Sequence, residues 1–361
     1  MSLVLPLSLA AVGGGLATAI AAHDFFEGET LVADLIRTAR LARADLADLD
    51  RKAMVRRRSA AIVTLTTIPS RIGLIGMTLK SLLDQTLPPA RIHLNIPRHS
   101  RRENCAYDVP DWLEALEMVR IVRCEDVGPA TKLFPTLSGA SDDQAIIVVD
   151  DDRIYPPGFV ETLSAAGDGD PDAAFGLSGW VVPADFTDRP TTIGSNLHMQ
   201  PPAPVRARRL REPFEIDILQ GFSGYLVRPR FFPDMDAMLA HRDAPPEAFY
   251  VDDVWISGFC AARKFVVPSK RAGFQQWTRK GLYRASSLGL VNRGGGTPET
   301  RNNTIVIRHM ADRWTVGGHA LGKTAVSSRE AGAADASPPA GSAQARPAPA
   351  DHAQGSASRP D

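Results

Sequence analysis

The sequence predicts an α/β protein whose mostly parallel sheet is flanked by helices, and three observations lead there. β-Branched runs at Ala61–Ile68, Arg91–Ile96 and Val119–Arg123 are interleaved with segments of helical spacing, the alternation expected of parallel strands joined by helices. Ala145-Ile146-Ile147-Val148-Val149 is apolar throughout, as befits a strand covered on both faces. That run stops in three consecutive carboxylates, Asp150-Asp151-Asp152, at the strand end beyond which open α/β sheets bind their ligands.

Taken in order, the elements begin with Leu3–Ala22, 20 positions without a charge but interrupted by Pro6, Gly13, Gly14 and Gly15. The stretch is long enough to cross a bilayer yet only weakly apolar, so it reads equally as a membrane span or as a surface-packed leader. No Lys or Arg precedes it, as a signal peptide requires. Arginines follow it from Arg37 to Arg58, which would keep the rest of the chain at the cytoplasmic face of an inner membrane. Glu29–Arg51 spaces Leu31, Leu35, Leu41, Leu46 and Leu49 among charges and predicts an amphipathic helix. After the strand Ala61–Ile68, stopped by Pro69, a helix over Leu74–Leu83 ends before Pro88-Pro89. The strand Arg91–Ile96, a short helix around Trp112–Leu116, the strand Val119–Arg123 and the acidic strand come next. Phe159–Ala166 then predicts a helix, Ala173–Val182 a strand, and Pro183–Arg211 a long surface loop of the lid kind. Leu219–Val227 predicts a glycine-containing strand, Asp252–Ala262 a helix, and Lys264–Val267 the last strand of the core. From residue 324 onward the chain is almost wholly Ala, Ser, Pro, Gly, Gln and charges, the composition of a disordered tail.

A length of 361 residues with 44% hydrophobic content supports a large core. Lys+Arg and Asp+Glu number 41 each, so the net charge gives no case for nucleic acid as a partner. Cys105, Cys124 and Cys260 are odd in number and far apart, which argues against a disulfide framework or a Cys-x-x-Cys zinc site and suits a reducing, cytoplasmic compartment.

The triplet carries the chemistry. Adjacent carboxylates raise one another's pKa, so an uncompensated trio is an unfavourable structural choice. On a pleat, Asp150 and Asp152 share one side and can approach one divalent ion, leaving Asp151 for a different partner. Oxygen ligands alone suit Mg²⁺ or Mn²⁺. A solvated acidic turn before Pro156-Pro157-Gly158 is the competing reading.

The strand Ala61–Ile68, the strand ending in Asp150-Asp151-Asp152 and the later Val251-Asp252-Asp253-Val254-Trp255-Ile256 together resemble nucleotide-sugar glycosyltransferases of the GT-A fold, most like family 2, over roughly Ala60–Val267. Ser81-Leu82-Leu83-Asp84-Gln85-Thr86 looks like the end of that family's first helix. The resemblance implies a GT-A, Rossmann-like domain at residues 59–323, after an apolar leader and amphipathic helix at 1–58 and before a tail at 324–361. It implies an Asp-x-Asp metal motif in Asp150 and Asp152, with Mn²⁺ or Mg²⁺ as cofactor and His309 as a further ligand, against which stands the reading of a lone histidine as structural. Asp253, with Asp252 second, would be the base of an inverting sugar transfer. A cap and first-turn role at a helix N-terminus competes with this, most seriously for Asp252. Thr67, Pro69, Arg71, Asp126, Lys132 and Asp151 would bind the donor, a nucleoside diphosphate-sugar with UDP favoured; Lys132 reads equally as an exposed surface lysine. Gly221, Phe222, Ser223 and Gly224 would face the acceptor, a glycan or lipid-linked sugar of the cell envelope. Trp180, Trp255, Trp277 and Trp314 read as core or as sugar-stacking rings. Membrane association, if any, is single-pass or peripheral.

Two other classes share this architecture. A sugar nucleotidyltransferase carries a glycine-rich phosphate loop after the first strand, and Thr66-Thr67-Ile68-Pro69-Ser70-Arg71 has no glycine. A non-catalytic carbohydrate-binding protein with a transferase-like fold has no use for the intact acidic motifs.

Overall fold

A computed structural model describes residues 4–275 and 296–318, together with Tyr283, Leu288 and Asn292. Trp277, Gly294, Gly295 and the expected tail at 324–361 lie outside the described residues. The central sheet contains β1 (Ile62–Thr66), β2 (Arg91–Pro97), β3 (Val119–Cys124), β4 (Ile146–Val148), β5 (Ala174–Gly176), β6 (Phe214–Ile216), β7 (Tyr225–Val227) and β8 (Lys264–Val266). Their order is β3-β2-β1-β4-β7-β5-β8-β6, with only β7 and β6 reversed. β1 lies between parallel neighbours, Leu65 opposite Leu94 and Ile62 opposite Ile146. Val63, Leu65, Ile92, Leu94 and Ile146–Val149 are fully buried, each side chain stabilising the fold by roughly 1.5–3 kcal/mol relative to exposure.

Among the described residues seven longer helices accompany the sheet: α1 (Val4–Glu27), α2 (Leu31–Arg43), α3 (Leu46–Val55), α4 (Gly76–Leu83), α5 (Phe159–Gly169), α6 (Asp252–Phe259) and α7 (Asn302–His309). The amphipathic stretch expected as one helix is two, because Ala44 is extended and Asp45 caps α3 by accepting from the Asp48 N–H at 2.8 Å. Among the described residues no helix is long and apolar enough to cross a membrane. The leader is welded to the sheet domain. Arg37, 3% exposed, donates to the Tyr155 carbonyl at 2.8 Å, the Asp84 carboxylate at 2.9 Å and the Ser81 carbonyl at 3.1 Å. Asp34 pairs with Arg271 at 2.7 Å.

Two expected strands are broken. Ala173–Val182 divides at Leu177, whose N–H bonds to Gly224 while its carbonyl accepts from Ala207. Beyond it Ser178–Trp180 joins a separate three-stranded sheet with Ile218–Leu219 and Val205–Arg206. Leu219–Val227 is likewise interrupted, by a 3₁₀ turn at Gly221–Ser223. The expected loop Pro183–Arg211 contains a short helix, Ile193–His198, held by a capping box between Thr192 and Ser195.

Asp217 ties the C-terminal segment down. Its buried carboxylate accepts from the backbone N–H groups of Val182, Thr315, Val316 and Gly317 at 2.8–3.1 Å. Asp217→Ala strands four donors and should lower stability by on the order of 3 kcal/mol, read as a shift of the urea midpoint at unchanged slope.

Candidate functional site

The carboxyl ends of β1 to β4 open into a cleft of about 490 Å³. Each strand contributes the loop that follows it: Thr66–Ile68 and Arg71, then Pro97, Arg102 and Tyr107, then Asp126 to Lys132, then Val149 to Arg153. Asp252 and Asp253, at the start of α6, form part of the opposite wall.

Lys132 stands at the centre and is no surface lysine, being 5% exposed. Its ammonium donates to Asp150 at 2.9 Å and to Asp253 at 3.3 Å. Asp252 lies 2.7 Å away as an ion pair without hydrogen-bond alignment. Two acidic motifs a hundred residues apart thus meet on one cation. The lysine's backbone is fixed from below: its carbonyl accepts from the Thr64 hydroxyl at 2.6 Å and the Asn95 amide at 3.0 Å, both buried in the sheet. Gly221 makes the approach possible. A Cβ there would lie 2.2 Å from the Lys132 nitrogen and 3.1 Å from both Asp150 and Asp253, and the Gly221 N–H itself donates to Asp253 at 3.0 Å.

The electrostatics divide the carboxylates. Burial raises the Asp253 pKa to about 7, helped by Asp252 and Asp150 and opposed by Lys132. Burial likewise lifts Asp151 to about 6 against the pull of Arg71. Asp150 is also desolvated, yet Lys132 holds its carboxyl below the ordinary value. Burial disfavours the ammonium, but the three carboxylates more than offset it and raise the Lys132 pKa well above normal.

The pleat does not reach the triplet, because β4 ends at Val148 and Asp151 and Asp152 lie on a turn; Asp151 accepts from the Thr67 hydroxyl at 2.6 Å and from Arg71 at 3.2 Å. Asp152 lies on the turn beyond β4, 3.5 Å from Arg153 and 3.9 Å from Arg71. Asp126 lines the cleft while accepting from the Gly128 N–H at 2.8 Å. Pro69 opens the 3₁₀ turn that carries Arg71 rather than lining the cleft. Phe222 lines the wall, Ser223 is buried behind it, and Gly224 packs on the Phe159 ring. His309 is not brought to these residues: it is exposed at the end of α7, its ring 6.3 Å from that of Trp255. Trp180, Trp255 and Trp314 are buried. Tyr107, Arg102, Arg153, Phe249, Tyr250 and Asn292 also line the cleft. The sequence marks none of these as part of a site.

Among the described residues no group of three or more His, Cys, Asp or Glu side chains is placed to hold a metal ion by itself. Asp150 and Asp152 nevertheless both line the cleft, and carboxylate oxygens are the donor type that Mg²⁺ or Mn²⁺ takes.

No family model matches the sequence, and no curated protein matches it at a significant level. Solved structures do align. S. aureus TarS 1–349 in complex with UDP is 13% identical over 66% of this chain and 72% of that one, with a TM-score of 0.37. The same protein with UDP-GlcNAc is 14% identical over 60% and 58%, TM-score 0.36. Francisella tularensis 2-C-methyl-D-erythritol 4-phosphate cytidylyltransferase is 16% identical over 63% and 97%, TM-score 0.35. At these scores the likenesses carry no argument about activity.

Lys132→Met leaves three carboxylates facing one another with no cation among them. It should cost about 3–5 kcal/mol in denaturant unfolding and, since the ammonium opposes protonation of Asp253, move that group's titration above its present value of about 7, which carboxyl NMR would follow.

Proposed function

We propose that the cleft binds a nucleoside diphosphate-sugar, UDP-linked in the favoured case, and transfers its sugar with inversion to a hydroxyl of a glycan or lipid-linked acceptor. The observation that carries this reading is the Lys132 ammonium shared by Asp150, Asp252 and Asp253 at the mouth of the parallel strands. It joins a site for a diphosphate to a carboxylate able to take a proton near neutral pH. Such a transfer needs both, because charge builds on the departing diphosphate while the attacking hydroxyl loses its proton.

In this reading Asp253 is the base. Its pKa of about 7 leaves it half ionised at neutrality yet a stronger acceptor than an ordinary carboxylate. The Gly221 N–H and Lys132 hold its oxygens in place. Arg71, near Asp151 and Asp152, and Lys132 supply positive charge for the phosphates, and Thr67 and Asp126 stand beside the base and ribose. Asp150 and Asp152 would hold Mn²⁺ or Mg²⁺, which when bound acts as Lewis acid on the leaving diphosphate. The reading also expects a cytoplasmic protein, with single-pass or peripheral attachment at the inner face of a membrane and a role in cell envelope polysaccharide. No nucleic acid takes part.

The test is nucleoside diphosphate release from UDP-, GDP- and dTDP-sugars with and without Mn²⁺. One donor should be turned over in a Mn²⁺-dependent manner that Asp152→Asn abolishes. No nucleoside diphosphate from any donor, with pyrophosphate released instead when a nucleoside triphosphate is supplied with a sugar 1-phosphate, would mark nucleotidyl transfer and overturn the reading.

Asp253→Asn should reduce turnover about 10²–10⁴-fold. In the wild type, kcat/KM should rise with pH through an apparent pKa near 7, since the ionised carboxylate is the base. A flat profile between pH 5 and 8 would remove Asp253 from that role.

A further inference from the structure

Beside the cleft lies a second cavity of about 370 Å³. Arg153 and Phe222 line both, the guanidinium standing 4.9 Å over the Phe222 ring, so these two side chains form the partition. Phe222 directly follows Gly221, whose N–H holds Asp253. The outer wall comes from an unexpected part of the chain, the junction of α1 and α2, which supplies His23, Glu27 and Glu29. Opposite it stands Arg206, 4.0 Å from Glu27. The junction is shaped to this arginine: Gly28 has φ +70°, and a Cβ there would lie 2.6 Å from the Arg206 side chain.

The lining is polar and incompletely satisfied. The Nε atoms of Arg153 and Arg206 are buried and make no hydrogen bond, although Arg153 stays 3.5 Å from Asp152. The side chains of both arginines line the cavity, where their remaining N–H donors are available to an oxygen-bearing ligand. Charge selects among oxygen-bearing ligands. Two arginines face two glutamates, so an anion meets Glu27 and Glu29 while a cation meets Arg153 and Arg206. A neutral polyol suits both, its hydroxyls accepting from the guanidinium groups and donating to the carboxylates.

We propose that this second cavity is the acceptor subsite, that it takes an uncharged sugar unit, and that residues 23–29 of the leader form its outer wall. The inference rests on the sugar-transfer reading and adds the acceptor's charge class and the leader's part in holding it. An acceptor hydroxyl passing the Arg153–Phe222 partition arrives beside Asp253. There the hydroxyl oxygen bonds to the anomeric carbon as the bond to the diphosphate oxygen breaks, and the proton goes to Asp253.

The experiment measures nucleoside diphosphate release by the full chain from its donor, alone and with methyl β-D-glucopyranoside, methyl β-D-galactopyranoside, methyl N-acetyl-β-D-glucosaminide or glucuronate. The readout is the ratio of the rates with and without glycoside in one preparation. At least one neutral glycoside should stimulate release more than glucuronate does. Arg206→Ala should reduce that stimulation about tenfold, equivalent to ~1.4 kcal/mol, through KM for the glycoside. Glu29→Gln, which keeps the shape of the wall, should reduce it in the same direction, so a poorly folded Arg206 variant does not decide the matter. The proposal is overturned if the donor is turned over but no neutral glycoside stimulates, if glucuronate stimulates better, or if both variants keep the wild-type ratio. Absence of release from every donor would instead refute the transfer reading itself, and this inference with it.

Discussion

A buried ammonium among three carboxylates is the constraint around which the cleft is built. Lys132 is desolvated, and a desolvated cation is tolerable only where its partners offset the loss of water. Asp150, Asp252 and Asp253 do so from two different parts of the chain. Their meeting fixes the start of α6 against the end of β4. The sheet contributes from beneath, since Thr64 on β1 and Asn95 on β2 bind the lysine's carbonyl. The position of the charge is therefore set by core packing rather than by loop conformation.

The same concentration of charge separates groups that are chemically alike. Asp150 and Asp253 both touch Lys132, yet one is held acidic and the other is lifted towards neutrality. The difference arises because desolvation and the neighbouring carboxylates outweigh the ammonium at Asp253, whereas at Asp150 the ammonium prevails with Arg153 and Arg71 beside it. One cation thus leaves one carboxylate ionised across the physiological range and another poised to exchange its proton.

Much of this was legible in the residues. The apolar run before Asp150 reads as a covered strand, and the interleaving of strands and helices points to a mostly parallel sheet. The breaks at Leu177 and at Gly221–Ser223 were hidden, because a strand that changes sheet keeps its β-branched and aromatic character on both sides of the crossing. Within the site, the motif residues Asp150, Asp151, Asp152, Asp252 and Asp253 announce themselves by repetition of charge. Lys132 was ambiguous, since a single lysine in a Gly-Pro loop carries no sign of its burial. Arg153, Arg206 and the 23–29 junction were silent: each is an ordinary surface-type residue until tertiary contacts enclose it. Gly221 was noticed as a small residue near a substrate, whereas what approaches it is the protein's own ammonium.

The ties made by Arg37, Asp34 and Asp217 bear on how the molecule comes into being. A nascent chain emerges from its N-terminus, yet Arg37 finds Tyr155 only after more than a hundred further residues, and Asp34 waits for Arg271. Asp217 gains three of its four donors when residues 315–317 appear. The helix at residues 31–43 is thus among the last elements to acquire its full set of partners. Long-range closures of this kind slow folding, so the docking of residues 31–43 onto the sheet is a late event set by how quickly Tyr155 and Arg271 reach them.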